Sequence, residues 1–293
     1  MGLLSNKISR DDLKPGDHIY SWRSYIYSHH GIYIGDGKVI HFTRGGGLEI
    51  GTGTFLDNII VSSVPNHGGD NPCSNCGDQS NLDGVITSCL DCFLSGGNLY
   101  LFEYNVSKAI FLAKHRGGTC TTAPSDPSEE VISRAKFLLA RNGFGHYDLL
   151  ENNCEDFAIY CKTGLLVLSI TKLGTSGQVN SFCAAGGVVS LTLKVLGVGK
   201  SGGQAASVAA SQASMVSAAS NVLSSTIGCV ATGVGALALT GYGNYCIGRF
   251  VYDVGVRKDV RKVPVEELVV IVEAMKGGKL DNINNNTNIC KTA

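Results

Sequence analysis

The 293-residue sequence predicts an α+β fold, with an antiparallel sheet formed early and helices that follow it and pack on it. Residues 13–60 hold three short segments, "DHIYSW", "GIYIG" and "KVIHFT", rich in β-branched and aromatic residues and separated by turn chemistry. Apolar residues then recur at helical spacing over 127–141, and a second helical stretch runs from Cys154 to Thr163. From Leu165 the composition changes again. Between Lys200 and Arg249 lie 48 residues without one Asp, Glu, Lys or Arg, dominated by Ala, Ser, Gly and Val.

Each element has a local reason. In the first helix Asp126 can cap, Pro127 suits the first turn and Glu129 completes a capping-box spacing. Val131, Ile132, Ala135, Leu138 and Leu139 form its apolar stripe, and Gly143 can end it. The second helix has Asn152 or Asn153 as its cap and Gly164 as its stop. "LYLFEY" (99–104) reads as a returning strand. Residues 62–98 are polar and Gly/Asn-rich, hold four cysteines and read as an insertion. The boundaries that follow are a domain over 13–165, with its four-cysteine insertion at 66–96, and a helical C-terminal region over 166–293. "TIGCVATGVGALALTGYGNYCI" (226–247) is long enough to span a bilayer but weakly hydrophobic. It reads either as part of a buried helix pair packed through small residues or as a segment that enters or lies on a membrane. The tail from about residue 280 has the composition of a disordered segment.

Basic and acidic residues balance at 24 each, which leaves no electrostatic footprint for nucleic acid. There are eleven cysteines, and the N-terminal stretch has no apolar run of signal-peptide length. The expectation is a cytoplasmic chain with reduced thiols, whose clustered cysteines serve metal binding or catalysis.

"NNCEDFAIYC" places Cys154 at a helix start, where the partial positive charge favours thiolate, while Glu155 and Asp156 oppose it. A basic partner is therefore needed, and "YSHHGIYIGDGKVIHF" offers His29, His30 and His41. If Gly35-Asp36-Gly37 is a three-residue hairpin loop, Ile34 faces Lys38 and Gly31 faces His41. His29 then shares a face with His41, and His30 points the other way. A two-residue loop would separate His29 from His41. Two histidines on a strand pair also fit packed or surface positions, and a lone cysteine also fits a core.

Together, "HHGIYIGDGKVIHF", the later "NNCEDF" and the opening "LKPGDHIYSW" resemble the lecithin retinol acyltransferase (LRAT) domain family. That family is a circularly permuted branch of the papain-like NlpC/P60 group, and the pattern is most similar to its plant branch, which includes the lead-sensitive type. The resemblance covers roughly residues 13–165 and implies a permuted papain-like core. It assigns His29 as general base, His41 as third member and Cys154 as the nucleophile that forms an acyl-thioester on a lipid acyl-ester substrate. Tyr147 matches a family tyrosine of the oxyanion hole, a role for which a core packing position is the alternative. No cofactor is expected for catalysis. Asp156 departs from the family's common Asn-Cys-Glu-His-Phe element and makes the local field more acidic.

A separate signal comes from Cys73-x2-Cys76 and Cys89-x2-Cys92, twelve residues apart. This spacing suits a tetrahedral structural zinc site, with disulfides or free thiols as the alternatives. Four thiolates leave no open position for catalysis. The competing functions are a thiol acyltransferase or phospholipase-type hydrolase, an amidase or peptidase, and a non-enzymatic module that binds a partner or a membrane surface.

Overall fold

The structure, a computed structural model, describes residues 5–23, 27–44, 73–79, 82–114, 116–167, 174–181, 183–186 and 233–276. The chain forms two compact units that interleave in sequence. One takes residues 9–99, 126–166 and 261–293, and the other takes 1–8, 100–125 and 167–260. In chain order the strands are β1 (Asn6–Lys7), β2 (His18–Arg23), β3 (Tyr27–Gly35), β4 (Lys38–Thr43), β5 (Gly84–Cys89), β6 (Tyr100–Leu101), β7 (Leu165–Val167) and β8 (Val260–Lys262). The helices are α1 (Leu90–Leu94), α2 (Lys108–Ala113), α3 (Ser128–Arg141), α4 (Cys154–Thr163), α5 (Gly233–Val251) and α6 (Val265–Lys276).

The first unit is α+β. Its strands β2, β3, β4 and β5 form an antiparallel meander in that spatial order. One face carries Ile32, Ile40, Phe42 and Val85 and is covered by Leu138 of α3, Phe157 and Ala158 of α4, and Leu268 and Val269 of α6, all buried. Phe42, Phe144 and Phe157 meet edge-on or tilted, with ring centroids 5.2–6.3 Å apart. Such pairs add to the free energy of burying apolar area.

Three local expectations are corrected here. Residues 84–94 of the stretch read as an insertion form regular structure: β5 pairs with β4 over six residues, from Lys38↔Cys89 to Thr43↔Gly84, and α1 follows. The β-branched run Val85-Ile86-Thr87 has strand chemistry that the polar average of 62–98 hides. Only Tyr100–Leu101 of "LYLFEY" is strand, paired with Asn6–Lys7 in the second unit. Helix α3 is capped by Pro127 without a side-chain bond, because Asp126 is held elsewhere by Arg134 and Lys262 (2.6 Å each). The helix ends at Arg141, with Asn142 in the left-handed conformation (φ 43°) directly before Gly143.

In the second unit, buried Arg249 of α5 donates to the carbonyl oxygens of Lys114 and Arg116, and Asp253 accepts from Thr121 and Thr122. No helix among the described residues is long and apolar enough to cross a membrane. Residues 226–232 and the tail from 280 lie outside the described residues.

Candidate functional site

The β3–β4 hairpin sets the site. Asp36 and Gly37 both have positive φ (50° and 66°), and Gly35 pairs with Lys38. The loop is thus a two-residue turn, not the three-residue loop the spacing suggested. A bulge between Tyr33 and Gly35 adds the missing residue, so that Tyr33 faces Val39 and Gly31 faces His41. Ile34 is the bulged residue and does not face Lys38. His29 and His41 consequently share a face despite the shorter loop.

Their rings meet edge to face, with His29 Nε2 2.9 Å from His41 Nδ1. His41 Nε2 lies 2.7 Å from Ser88 Oγ, which donates to Gln79 Oε1 at 2.6 Å. Gln79 Nε2 donates to the Thr87 carbonyl at 2.8 Å. Gly31 makes room for this chain: a Cβ there would stand 2.7 Å from Val39 Cγ1, 2.9 Å from Phe93 Cε2 and 3.1 Å from His41 Cβ. Phe93 of α1 packs on both imidazoles, and Arg23 fixes α1 by donating to the carbonyls of Phe93 and Leu94. Both histidines are fully buried. Burial holds His29 well below the usual histidine range and brings His41 down to about 3. Among the described residues, His29 Nδ1 has no hydrogen-bond partner.

His30 is engaged on its own. Its Nδ1 lies 2.8 Å from His18 Nε2 and its Nε2 2.8 Å from Ser28 Oγ, so neither ring nitrogen is open.

Cys154 begins α4. Asn153 caps that helix, accepting from the backbone N–H groups of Glu155 and Asp156, while Asp156 accepts from the Asn153 N–H. Asp156 is thus the reciprocal member of a capping box. Asn152 instead donates to the carbonyls of Phe144 and His146. The Cys154 sulfur lies 2.9 Å from the Tyr27 hydroxyl, which also lies 2.9 Å from the Tyr147 hydroxyl, and 3.8 Å from the Ser28 carbonyl. Burial pushes the thiol up to about 12, against the lowering pull of Tyr27, the His30 backbone N–H and Tyr147. Desolvation is the largest of these influences, and it favours the neutral thiol. No hydrogen bond joins Cys154 to His29; the sulfur's contacts on β3 are the Tyr27 hydroxyl and the Ser28 carbonyl. Tyr27 was not anticipated from sequence; its place two residues before His29 was the available signal.

The sulfurs of Cys73, Cys76, Cys89 and Cys92 lie within 4.8 Å of one another, with Cys73 and Cys89 at 3.9 Å. Gly77, at φ 67°, donates to the Cys73 carbonyl at 2.8 Å and turns the first Cys-x2-Cys into a tight knuckle. The second pair spans the junction of β5 and α1, where the Cys89 N–H points at Cys76 Sγ (3.0 Å) and the Cys92 N–H at Cys89 Sγ (3.4 Å). Four soft sulfur donors at this separation could hold a metal ion.

The sequence profile of the family described as "Lecithin retinol acyltransferase" matches residues 11–167. Over 269 residues the chain is 51% identical to "Protein LEAD-SENSITIVE 1" of Arabidopsis thaliana, covering 92% of this chain and 90% of that protein.

Proposed function

Because this chain belongs to the lecithin retinol acyltransferase family, we propose that it transfers or hydrolyses the acyl groups of lipid esters through a thioester on Cys154. The observation that carries this reading is the bare, buried Nδ1 of His29 in a unit that also buries the thiol of Cys154. A buried polar atom without a partner costs free energy and calls for a reason. Service as a base supplies one.

In the proposed reaction the Cys154 S–H proton passes to His29 Nδ1 as the sulfur bonds to the ester carbonyl carbon. The C=O π electrons move to oxygen, and a Tyr147 or Tyr27 hydroxyl donates to that oxyanion. The carbonyl re-forms, the ester C–O bond breaks, and the leaving alkoxide takes the proton from His29. An amine, alcohol or water then gives its proton to His29, attacks the thioester and releases the thiol. Since both reacting groups rest neutral, proton transfer and attack proceed together rather than through a standing ion pair. His41 holds His29 in place for both transfers.

The four cysteines are proposed to bind one zinc ion. Zinc would neutralise the thiolates and fix the start of α1 against β5, with no part in bond making.

The test is to incubate the chain with phosphatidylcholine vesicles and measure acyl-Cys154 by intact mass and peptide mapping. The expected result is one acyl mass on Cys154, lost in Cys154→Ala and strongly reduced in His29→Gln. An acyl adduct of equal yield in His29→Gln would sink the base assignment. If no adduct forms on phospholipid or on an activated ester, the enzyme reading fails.

A further inference from the structure

We propose that Ser88 and Gln79 are positioning residues that fix the tautomer of His29 and so leave the lone pair on Nδ1. The inference rests on the reading of His29 as the base.

The Gln79 amide nitrogen donates to the Thr87 carbonyl, an acceptor that cannot donate, so the amide oxygen faces Ser88. That oxygen carries no hydrogen, and the 2.6 Å contact therefore uses the one proton of the Ser88 hydroxyl. Ser88 can then only accept from His41, which puts the His41 proton on Nε2. A neutral His41 has its lone pair on Nδ1, and the 2.9 Å contact there takes the proton from His29 Nε2. A neutral His29 protonated at Nε2 is bare at Nδ1, the atom found buried and without a partner. Each step leaves one arrangement. Burial disfavours charge on either ring, in keeping with the neutral forms that the counting needs.

The chain also explains why a third-position histidine can serve here where a carboxylate is common. Neutral imidazole has no intrinsic preference strong enough to orient its neighbour, and the Ser88–Gln79 pair supplies the direction. Both residues come from the segment that includes the four-cysteine cluster. Gln79 follows Cys76 by three positions, and Ser88 immediately precedes Cys89.

The test uses the full chain with 15N-labelled histidine, recording ring 15N shifts, and p-nitrophenyl butyrate as acyl donor with acyl-Cys154 followed by mass. In the unsubstituted chain His29 should show the Nε2–H tautomer. Ser88→Ala removes the acceptor for His41 and should move His29 toward the Nδ1–H form, slowing acylation by about tenfold or more. Ser88→Thr keeps the hydroxyl and should restore both readouts. Gln79→Met, at a less constrained position, frees the Ser88 proton to turn toward His41 and should produce the same tautomer change. An Nδ1–H form of His29 in the unsubstituted chain, or an unchanged tautomer in both Ser88→Ala and Gln79→Met, overturns the proposal. If the tautomer responds as stated while His29→Gln acylates at the unsubstituted rate, the relay stands and the base assignment falls.

Discussion

Lowering the pH should unfold the site-bearing unit steeply, because four of its histidines are buried in neutral form. His18, His29, His30 and His41 are each no more than 1% exposed. Desolvation holds His18 and His29 well below the usual histidine range and takes His30 and His41 down to about 3. The unfolded chain binds protons at these residues below about pH 6.5, and the folded chain does not, so the unfolded state gains stability as the pH falls. Each histidine contributes up to about 1.4 kcal/mol per pH unit between its unfolded and folded values, and four contribute roughly 5 kcal/mol per unit. Against a typical domain stability of about 5–15 kcal/mol, one to three units of acidification would exhaust it. Urea unfolding followed by far-UV circular dichroism at pH 7.5, 6.5, 6.0 and 5.5 measures the slope, which should correspond to about three to four protons taken up near pH 5.5. His18→Gln should reduce the uptake by one. A stability that changes by less than about 1.4 kcal/mol per unit over this range would refute the premise that these rings stay neutral when folded.

Gly31→Ala should destabilise the unit by about 1–3 kcal/mol, since the new methyl meets Val39, Phe93 and His41 at 2.7–3.1 Å. It should also slow acylation of Cys154, because two of the groups that must yield, Phe93 and His41, touch His29. Urea melts and adduct mass together check this, and unchanged values in both would show that the cradle is loose. Metal removal forms the other test. The purified chain should carry one zinc by elemental analysis, and Cys76→Ser or chelation should lower both its thermal midpoint and the acylation rate, since Cys89 directly follows Ser88. Zero metal in a chain purified under reducing conditions would exclude the site.

How much of this could be read from the sequence varied with the physics involved. The facing of Gly31 and His41 came out right through two compensating errors, a loop one residue too long and a bulge not foreseen. Gly35, Asp36 and Gly37 all have positive φ, and local preferences alone do not separate a three-residue loop from a tight turn with a bulge beside it. The two Cys-x2-Cys elements were legible because ligand spacing is a local property, and their sulfurs do converge. Strand β5 was missed because its six residues lie within a polar stretch, and with it Ser88 went unnoticed. Tyr27, Ser88 and Gln79 act through contacts spanning 9 to 127 residues, which no local pattern encodes. The helix terminus, which favours thiolate, and the acidic neighbours of Cys154, which oppose it, are visible in sequence, whereas the burial that pushes the thiol up belongs to the assembled core.

The bulge at Ile34 also bears on which length changes the hairpin can survive. A strand has only two faces, so losing one residue between Tyr33 and Lys38 would turn over everything before it on β3. His29 would leave the face of His41, and His30 would arrive on it. Because the two histidines are adjacent, such a slip would still set an imidazole beside His41, but one drawn away from His18 and Ser28. A slip of two residues would keep the faces and shift the pairing along β4, presenting His29 to a different neighbour. The hairpin thus acts as a parity code. Insertions and deletions there should segregate into odd changes, which exchange the roles of two histidines, and even ones, which break the register of one.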